Sequence, residues 1–328
     1  GRFNEVLVHT GQHYDYGMSE IFFKEMDMRE PDFNLGAGGG AHGEQTGRML
    51  IELEKIVAQV KPGGMLVYGD TNSTLAGALT AAKAGIKLAH VEAGLRSFNR
   101  SMPEEVNRVL TDHVSDLLFC PTDAAVENLV REGIAKGVHR VGDVMCDALL
   151  HNLSLARGRS QILQRLNLSR GGYVLVTIHR AGNTDDPVRI KSILNALGLL
   201  PVKVIFPVHP RTRKMVNEMG LTVNPNVSLI EPVGPLDILI LQENADCILT
   251  DSGGMQKEAY LLGVRCITLR EETEWVETVT AGWNRLAGVD GAKIKTLFDS
   301  WHPAGERPPL YGDGHAAEEI ASILMEQI

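Results

Sequence analysis

Several stretches of this chain place acids, histidines or small polar residues directly after apolar runs. That is where an α/β sheet presents side chains to a ligand, at the carboxyl ends of its strands. Tyr68-Gly69-Asp70-Thr71-Asn72-Ser73-Thr74 is the first such stretch, and His90-Val91-Glu92-Ala93-Gly94-Leu95-Arg96 is the second. Met102-Pro103-Glu104-Glu105-Val106-Asn107-Arg108 follows, with proline at a first helical position and acids in the first turn. Asp70, Glu92 and Glu104 thus fall on adjacent loops at one edge of one sheet, a carboxylate cluster suited to proton transfer. Crowded carboxylates resist joint ionisation, so one of them can hold or accept a proton near neutral pH. Plainer roles stand beside this one: Asp70 as a helix N-cap, Glu104 and Glu105 as complements to a helix dipole, Arg96 and Arg108 as structural counter-charges.

The second half offers Thr177-Ile178-His179-Arg180 and Pro207-Val208-His209-Pro210-Arg211, again at strand ends. A lone histidine there is more often a hydrogen-bonded structural residue, but two of them facing acids shift the balance toward function. Leu249-Thr250-Asp251-Ser252-Gly253-Gly254-Met255-Gln256-Lys257-Glu258 reads as strand, small-residue turn and helix. Its backbone N–H groups and helix dipole point at an incoming anion, and a diphosphate is the natural guest. Ser252 can donate its hydroxyl, and Glu258, about one turn into the helix, can accept from both hydroxyls of a ribose. The plainer alternative is a left-handed turn capped by serine. A nucleophile elbow is disfavoured because threonine, not glycine, stands two residues before Ser252.

Parallel sheets wrapped by helices are what such loops require, and short β-branched runs do alternate with longer amphipathic ones. Strands are expected at Glu5–His9, Met65–Gly69, Lys87–Val91, Leu117–Cys120 and His139–Val141. Five more are expected at Tyr173–Ile178, Val204–Val208, Val227–Ile230, Cys247–Leu249 and Arg265–Leu269. Helices are expected at Gly43–Val60, Thr74–Ala84, Glu104–Val114, Ala124–Glu132, Pro187–Leu199, Arg211–Met219, Gln256–Leu262 and Ala316–Gln327. With 328 residues the chain needs two cores, and the seam is expected between Asp147 and Gly172. Gly38-Gly39-Gly40-Ala41-His42-Gly43 matches a dinucleotide fingerprint, but Pro31 to Leu35 is a poor strand and no acid-ended strand follows at the required distance. It is expected to be a mobile loop.

A composition of 44% hydrophobic and 22% charged residues is that of a globular protein, and a net charge of −9 argues against a nucleic-acid footprint. Cys120, Cys146, Cys247 and Cys266 lack metal or redox spacing, and no HExxH-type pattern occurs, so no metal is expected. Reduced cysteines, the lack of a membrane-length apolar run and the lack of a targeting pattern point to a cytoplasmic protein that uses neither membrane nor nucleic acid.

Taken in order, Thr10 to Asp15, Gly69 to Thr71, His90 to Arg96, Pro103 to Arg108, His179-Arg180, Pro207 to Pro210 and Thr250 to Glu258 resemble the non-hydrolysing UDP-N-acetylglucosamine 2-epimerase family over essentially the whole chain. The resemblance implies the GT-B fold, two Rossmann-like domains facing a cleft. Residues 1–150 would carry the catalytic carboxylates and residues 151–315 would bind UDP, with 316–328 packing back on the first domain. It implies that UDP-GlcNAc and UDP-ManNAc interconvert for surface polysaccharide synthesis, by anti elimination of UDP to a 2-acetamidoglucal and re-addition with C-2 protonated from the opposite face.

By the same resemblance Asp70, Glu92, Glu104 and His179 are catalytic, and Arg180, Ser252, Gly253, Gly254, Glu258 and Arg270 hold UDP. Gln12, His13 and His209 match a site where some bacterial members bind a second UDP-sugar as activator. No cofactor is implied, and a homodimer is. Arg96 to Asn99, Thr184 to Pro187 and Thr273 to Glu277 look like the branch acting on UDP-2,3-diacetamido-2,3-dideoxyglucuronate, which is the alternative substrate. Two departures stand out. The chain begins at Gly1-Arg2-Phe3, past the family's first strand and its arginine-bearing loop, so little activity is expected of the isolated polypeptide. Ala181-Gly182-Asn183 also stands where the family usually carries an acid. A GT-B glycosyltransferase and an inactive UDP-sugar sensor are the rivals from other classes.

Overall fold

A computed structural model of the chain describes residues 3–12, 29–208, 212–213, 215–216, 220 and 223–328. His13, His209 and most of the expected helix Arg211–Met219 lie outside the described residues. The chain divides into two compact units, Gly1–Ala148 with Leu310–Ile328 and Leu149–Pro309.

The first unit begins with two short strands, β1 (Val8–His9) and β2 (Phe33–Asn34), which pair in parallel. Helix α1 (His42–Val60) follows, then β3 (Gly64–Tyr68), α2 (Asn72–Ala84), β4 (Lys87–Val91), α3 (Pro103–Val114), β5 (Leu117–Cys120), α4 (Asp123–Arg131) and β6 (Val138–Arg140). β3 to β6 form a parallel sheet in sequential order. Alternate residues of each strand feed opposite faces, as the pleat demands. Ala89, Val91, Leu117 and Phe119 enter one buried cluster, while Leu118 and Cys120 enter another.

Helix α5 (Val144–Arg159) carries the chain into the second unit. There β7 (Tyr173–Thr177), α6 (Pro187–Gly198), β8 (Lys203–Pro207), β9 (Val227–Ile230), α7 (Pro235–Glu243), β10 (Cys247–Thr250), α8 (Gly253–Leu262), β11 (Arg265–Thr268), β12 (Asn284–Leu286) and α9 (Gly291–Ser300) build a six-stranded parallel sheet in the order β12-β11-β10-β7-β8-β9. Both of its faces are covered: Val174, Val176, Val204, Phe206 and Leu249 join one core, and Tyr173, Leu175, Ile205 and Ile248 join the other. Each fully buried large apolar side chain contributes roughly 1.5–3 kcal/mol.

The last helix, α10 (Ala316–Gln327), lies in the first unit, where Ile320 is buried against Ala89, Val91 and Phe119. Asp147 caps its start, accepting from Ala316 N at 3.2 Å and Ala317 N at 2.7 Å. All four cysteines are free and buried, and burial pushes the Cys120 and Cys266 thiols up to about 12, so both stay protonated at neutral pH. Among the described residues no helix is long and apolar enough to cross a membrane.

Two expectations for the front of the chain need correction. Pro31 to Leu35 does contain a strand, held by polar bonds rather than an apolar run: Phe33 N donates to Leu7 O at 3.2 Å, Leu35 N to His9 O at 2.9 Å, and Leu7 N to Asp32 Oδ2 at 2.7 Å. The glycine turn behind it is also tied down, because the Arg48 guanidinium donates to Gly38 O at 3.2 Å and Gly39 O at 2.6 Å.

Candidate active site

In the first unit, β3 and β4 are neighbours, with Tyr68 opposite Val91. Asp70 and Glu92 therefore leave adjacent strand ends. Gly69 makes the turn at φ +64°, and Glu92 Oε2 lies 3.3 Å from where a Cβ on Gly69 would stand. Glu92 itself is held at φ +69°, a left-handed conformation that costs a non-glycine residue about 1–2 kcal/mol. Asp70 is half-buried and paired with Arg108. Asn107 Nδ2 donates to Asp70 O at 2.9 Å, fixing the backbone beneath it.

Glu104 and its neighbour part company on α3: Glu104 is exposed, and Glu105 is buried. Glu105 accepts from Ser97 N at 2.8 Å, Ser97 Oγ at 2.9 Å, Phe98 N at 2.9 Å and Arg108 Nη1 at 3.0 Å. Burial alone would raise its carboxyl, but the Ser97 and Phe98 donors and Arg108 hold it below the usual range. Glu105 thus shapes the loop after Glu92 and shares Arg108 with Asp70, a role no local pattern announced. Arg96 pairs with Asp112 and Glu132 rather than with a carboxylate of the cluster.

Gln12 sits at the N-terminus of α2, accepting from Ser73 N at 3.0 Å and Ser73 Oγ at 2.7 Å.

The second unit places His179-Arg180 after β7 and Asp251-Ser252 after β10. These two strands pair side by side at the point where strand order reverses. In such sheets that switch point is the ligand crevice. Asp251 is fully buried and gathers the two strand ends, accepting from His179 N at 3.2 Å, Arg180 N at 3.2 Å and Asn183 Nδ2 at 3.0 Å. Asn183 also donates to Leu269 O at 3.2 Å, which gives the departure at Ala181-Gly182-Asn183 a structural centre. The side chains of His179 and Arg180 are about half exposed.

Ser252 is the N-cap of α8, its Oγ accepting from Met255 N at 3.4 Å, and its backbone is extended (φ −84°, ψ 130°) rather than left-handed. Gly253 and Gly254 open the helix, and Glu274 Oε1 lies 2.1 Å from where a Cβ on Gly253 would stand. Arg270 Nη1 is 2.8 Å from Glu274 Oε2, and Arg180 Nη2 is 3.7 Å from Oε1. Glu274 thus lies between two guanidinium groups near the start of α8, a place whose charge and helix dipole favour an anion. Glu258 accepts from Gln242 Nε2 at 2.7 Å, and its carboxyl is raised above the usual range, chiefly by burial, with Gln242 and Lys257 offsetting it.

A doubly wound sheet with a buried carboxylate and nearby arginines at its switch point, in a chain whose first unit carries strand-end acids, has the layout of a nucleotide-binding α/β enzyme. The model of the UDP-N-acetylglucosamine 2-epimerase family matches residues 1–325. A Methanococcus maripaludis protein called a UDP-N-acetylglucosamine 2-epimerase homolog is 51% identical, over 98% of this chain and 92% of its own. The Pseudomonas aeruginosa UDP-2,3-diacetamido-2,3-dideoxy-D-glucuronate 2-epimerase is 47% identical, over 98% of this chain and 91% of its own. The crystal structure of the Methanocaldococcus jannaschii UDP-GlcNAc 2-epimerase in complex with UDP-GlcNAc and UDP superimposes with a TM-score of 0.84 at 45% identity, covering 97% of this chain and 91% of that one. The chain belongs to the UDP-N-acetylglucosamine 2-epimerase family. It is a non-hydrolysing 2-epimerase of the GT-B fold class.

Proposed function

We propose that the chain interconverts UDP-GlcNAc and UDP-ManNAc, with proton transfer assigned to carboxylates of the first unit and diphosphate binding to the second. The observation that carries this reading is the seat at α8. Arg270 and Arg180 there flank the Glu274 carboxylate close to the start of α8, and a diphosphate would take that carboxylate's place. One of Asp70, Glu92 and Glu104 takes the C-2 proton, and the C-1–O bond breaks with its electron pair leaving on UDP. The resulting glycal is reprotonated at C-2 on the other face while UDP returns to C-1. His179, half-exposed beside Asp251, is the group placed to assist the departing diphosphate.

Incubation with UDP-GlcNAc in D2O tests this. Deuterium at C-2 of both epimers is expected, and sugar release or transfer without exchange would overturn it. The identity to the P. aeruginosa enzyme favours a second reading, in which the diacetamido-uronate is the better substrate, and the same assay run with both sugars decides between them. Cytoplasmic polysaccharide-precursor synthesis and activation by a second UDP-sugar belong to this reading. A homodimer does too, supported by exposed Met102 at the N-cap of α3 and exposed Val106 and Leu110 along it, at four-residue intervals.

Glu258 is the ribose reader in this scheme, and it must be ionised to accept two hydroxyls. UDP affinity should therefore fall as pH drops through its raised pKa and level off above it. Its effect on folding has the opposite sign. A raised carboxyl favours the folded state below the ordinary carboxylate range, and that contribution is lost as pH rises through the raised value. Glu258→Gln should thus weaken UDP binding by about 10- to 100-fold, the value of charge-assisted hydrogen bonds. It should also raise the melting temperature at neutral pH. Calorimetric titration and melting check both, and a variant that loses stability along with affinity would contradict the argument.

A further inference from the structure

We propose that His90 and Asp112 form a buried bracket that sets the positions of both Asp70 and Glu92, making them positioning residues for proton transfer at C-2. The inference rests on the proton-transfer role given to those acids above. His90 lies on β4 with its ring fully buried, and Asp112 lies on α3, equally buried. His90 Nε2 is 2.8 Å from Gly69 O. A carbonyl only accepts, so Nε2 carries a proton and donates. The Gly69 carbonyl belongs to the peptide group that joins Gly69 to Asp70. The other end of Gly69 is held as well, its N–H donating to Val91 O at 3.0 Å. The turn that delivers Asp70 is therefore clamped on both sides by β4.

His90 Nδ1 is 2.7 Å from Asp112 Oδ1. The second oxygen of that carboxylate accepts from Gly94 N at 3.1 Å and Arg96 Nη1 at 2.6 Å. Arg96 is kept charged: burial works against it, but its hydrogen bonds to Glu132 and Asp112 more than offset that. The His90 ring is thus held at both nitrogens, by the Gly69 carbonyl on one side and by the anchored carboxylate of Asp112 on the other. Two residues beyond His90 stands Glu92, and two further stands Gly94, so the same carboxylate holds the strained Glu92 turn from either side. The left-handed φ of Glu92 needs such support to persist. The bracket acts on Asp70 and Glu92 through the main chain, at Gly69 and Gly94.

The two nitrogens can be separated by substitution. His90→Gln retains a donor near Nε2, and His90→Asn retains one near Nδ1. We expect His90→Asn to lower kcat for epimerisation on the order of 10²-fold, the scale of a misplacement of about 1 Å in a catalytic group. KM and UDP affinity should stay within about twofold, since uniform binding is untouched. His90→Gln should recover at least tenfold of that loss, although melting shows it no more stable than His90→Asn. Equal kcat values for the two variants, or a kcat near wild type in His90→Asn, would overturn the bracket. Should His90→Asn fail to fold, Asn107→Ala releases the next carbonyl, Asp70 O, and is expected to show the same kcat-selective loss. A fall in KM affinity alone would overturn it. Asp70→Asn and Glu92→Gln are run alongside in D2O. If these keep full C-2 exchange, the proton-transfer role itself is wrong. If they lose it while His90→Asn does not, only the bracket is wrong.

Discussion

Asp70→Asn and Glu92→Gln should each slow C-2 deuterium exchange by about 10²- to 10⁴-fold, the range that a positioned general acid or base supplies. Both substitutions keep size and one acceptor oxygen. Asp70→Asn preserves a partner for Arg108 and leaves the Asn107 bond to the main chain intact, so the loss should not come from unfolding. Nor should UDP binding suffer, because the anion seat belongs to the second unit. Glu104→Gln gives the discriminating comparison. Its side chain is exposed on the first turn of α3, whereas Asp70 and Glu92 lie within reach of one turn at Gly69. Exchange, epimerisation and UDP affinity measured on all three variants rank the acids. Full exchange in both Asp70→Asn and Glu92→Gln would remove the proton-transfer proposal.

The sheet scaffold was legible because its strands are buried on both faces and so read as continuous apolar runs. Leu117–Cys120, Lys87–Val91 and Val227–Ile230 coincide with observed strands to the residue. β2 and β12 escaped because neither has such a run. β2 is a backbone-paired dipeptide, and β12 is set in register by buried Asn284, which donates to Gln256 Oε1 at 3.1 Å and Thr278 Oγ1 at 3.1 Å. The same physics limits the site. A residue's position at a strand end is a local property, so Asp70, Glu92, His179 and Ser252 could be picked out from sequence. Of the buried polar centres that hold those ends, Asp112, Asn183 and Asp251 bond to partners far away in sequence, and only the folded chain brings them together, while Glu105 binds the nearby Ser97–Phe98 loop in a way that no local pattern marks. Glu104 and Glu105 are equivalent in sequence pattern. One turn of helix geometry buries one and exposes the other.

Asp251→Ala should be the most destabilising single change in the second unit. Its carboxylate is fully buried and collects the His179 and Arg180 N–H groups and the Asn183 amide at the switch point. Alanine leaves these donors without that acceptor where water does not reach. At about 1–3 kcal/mol for each of the three stranded groups, the total is on the order of 3–9 kcal/mol. That is a large share of the roughly 5–15 kcal/mol of stability a domain possesses. For a unit of this size the melting temperature should drop by roughly 10–30 °C. UDP binding should fail by the same route if the proposed seat is right, because Asp251 fixes the strand ends that carry Arg180 and Ser252. UDP identifies the affected transition, since a ligand raises the melting temperature only of the unit that binds it. The UDP-sensitive transition should fall and lose its UDP response in Asp251→Ala, with Asp251→Asn intermediate because one oxygen still accepts. A variant that melts like wild type and binds UDP normally would show that the strand ends hold themselves in place without this carboxylate.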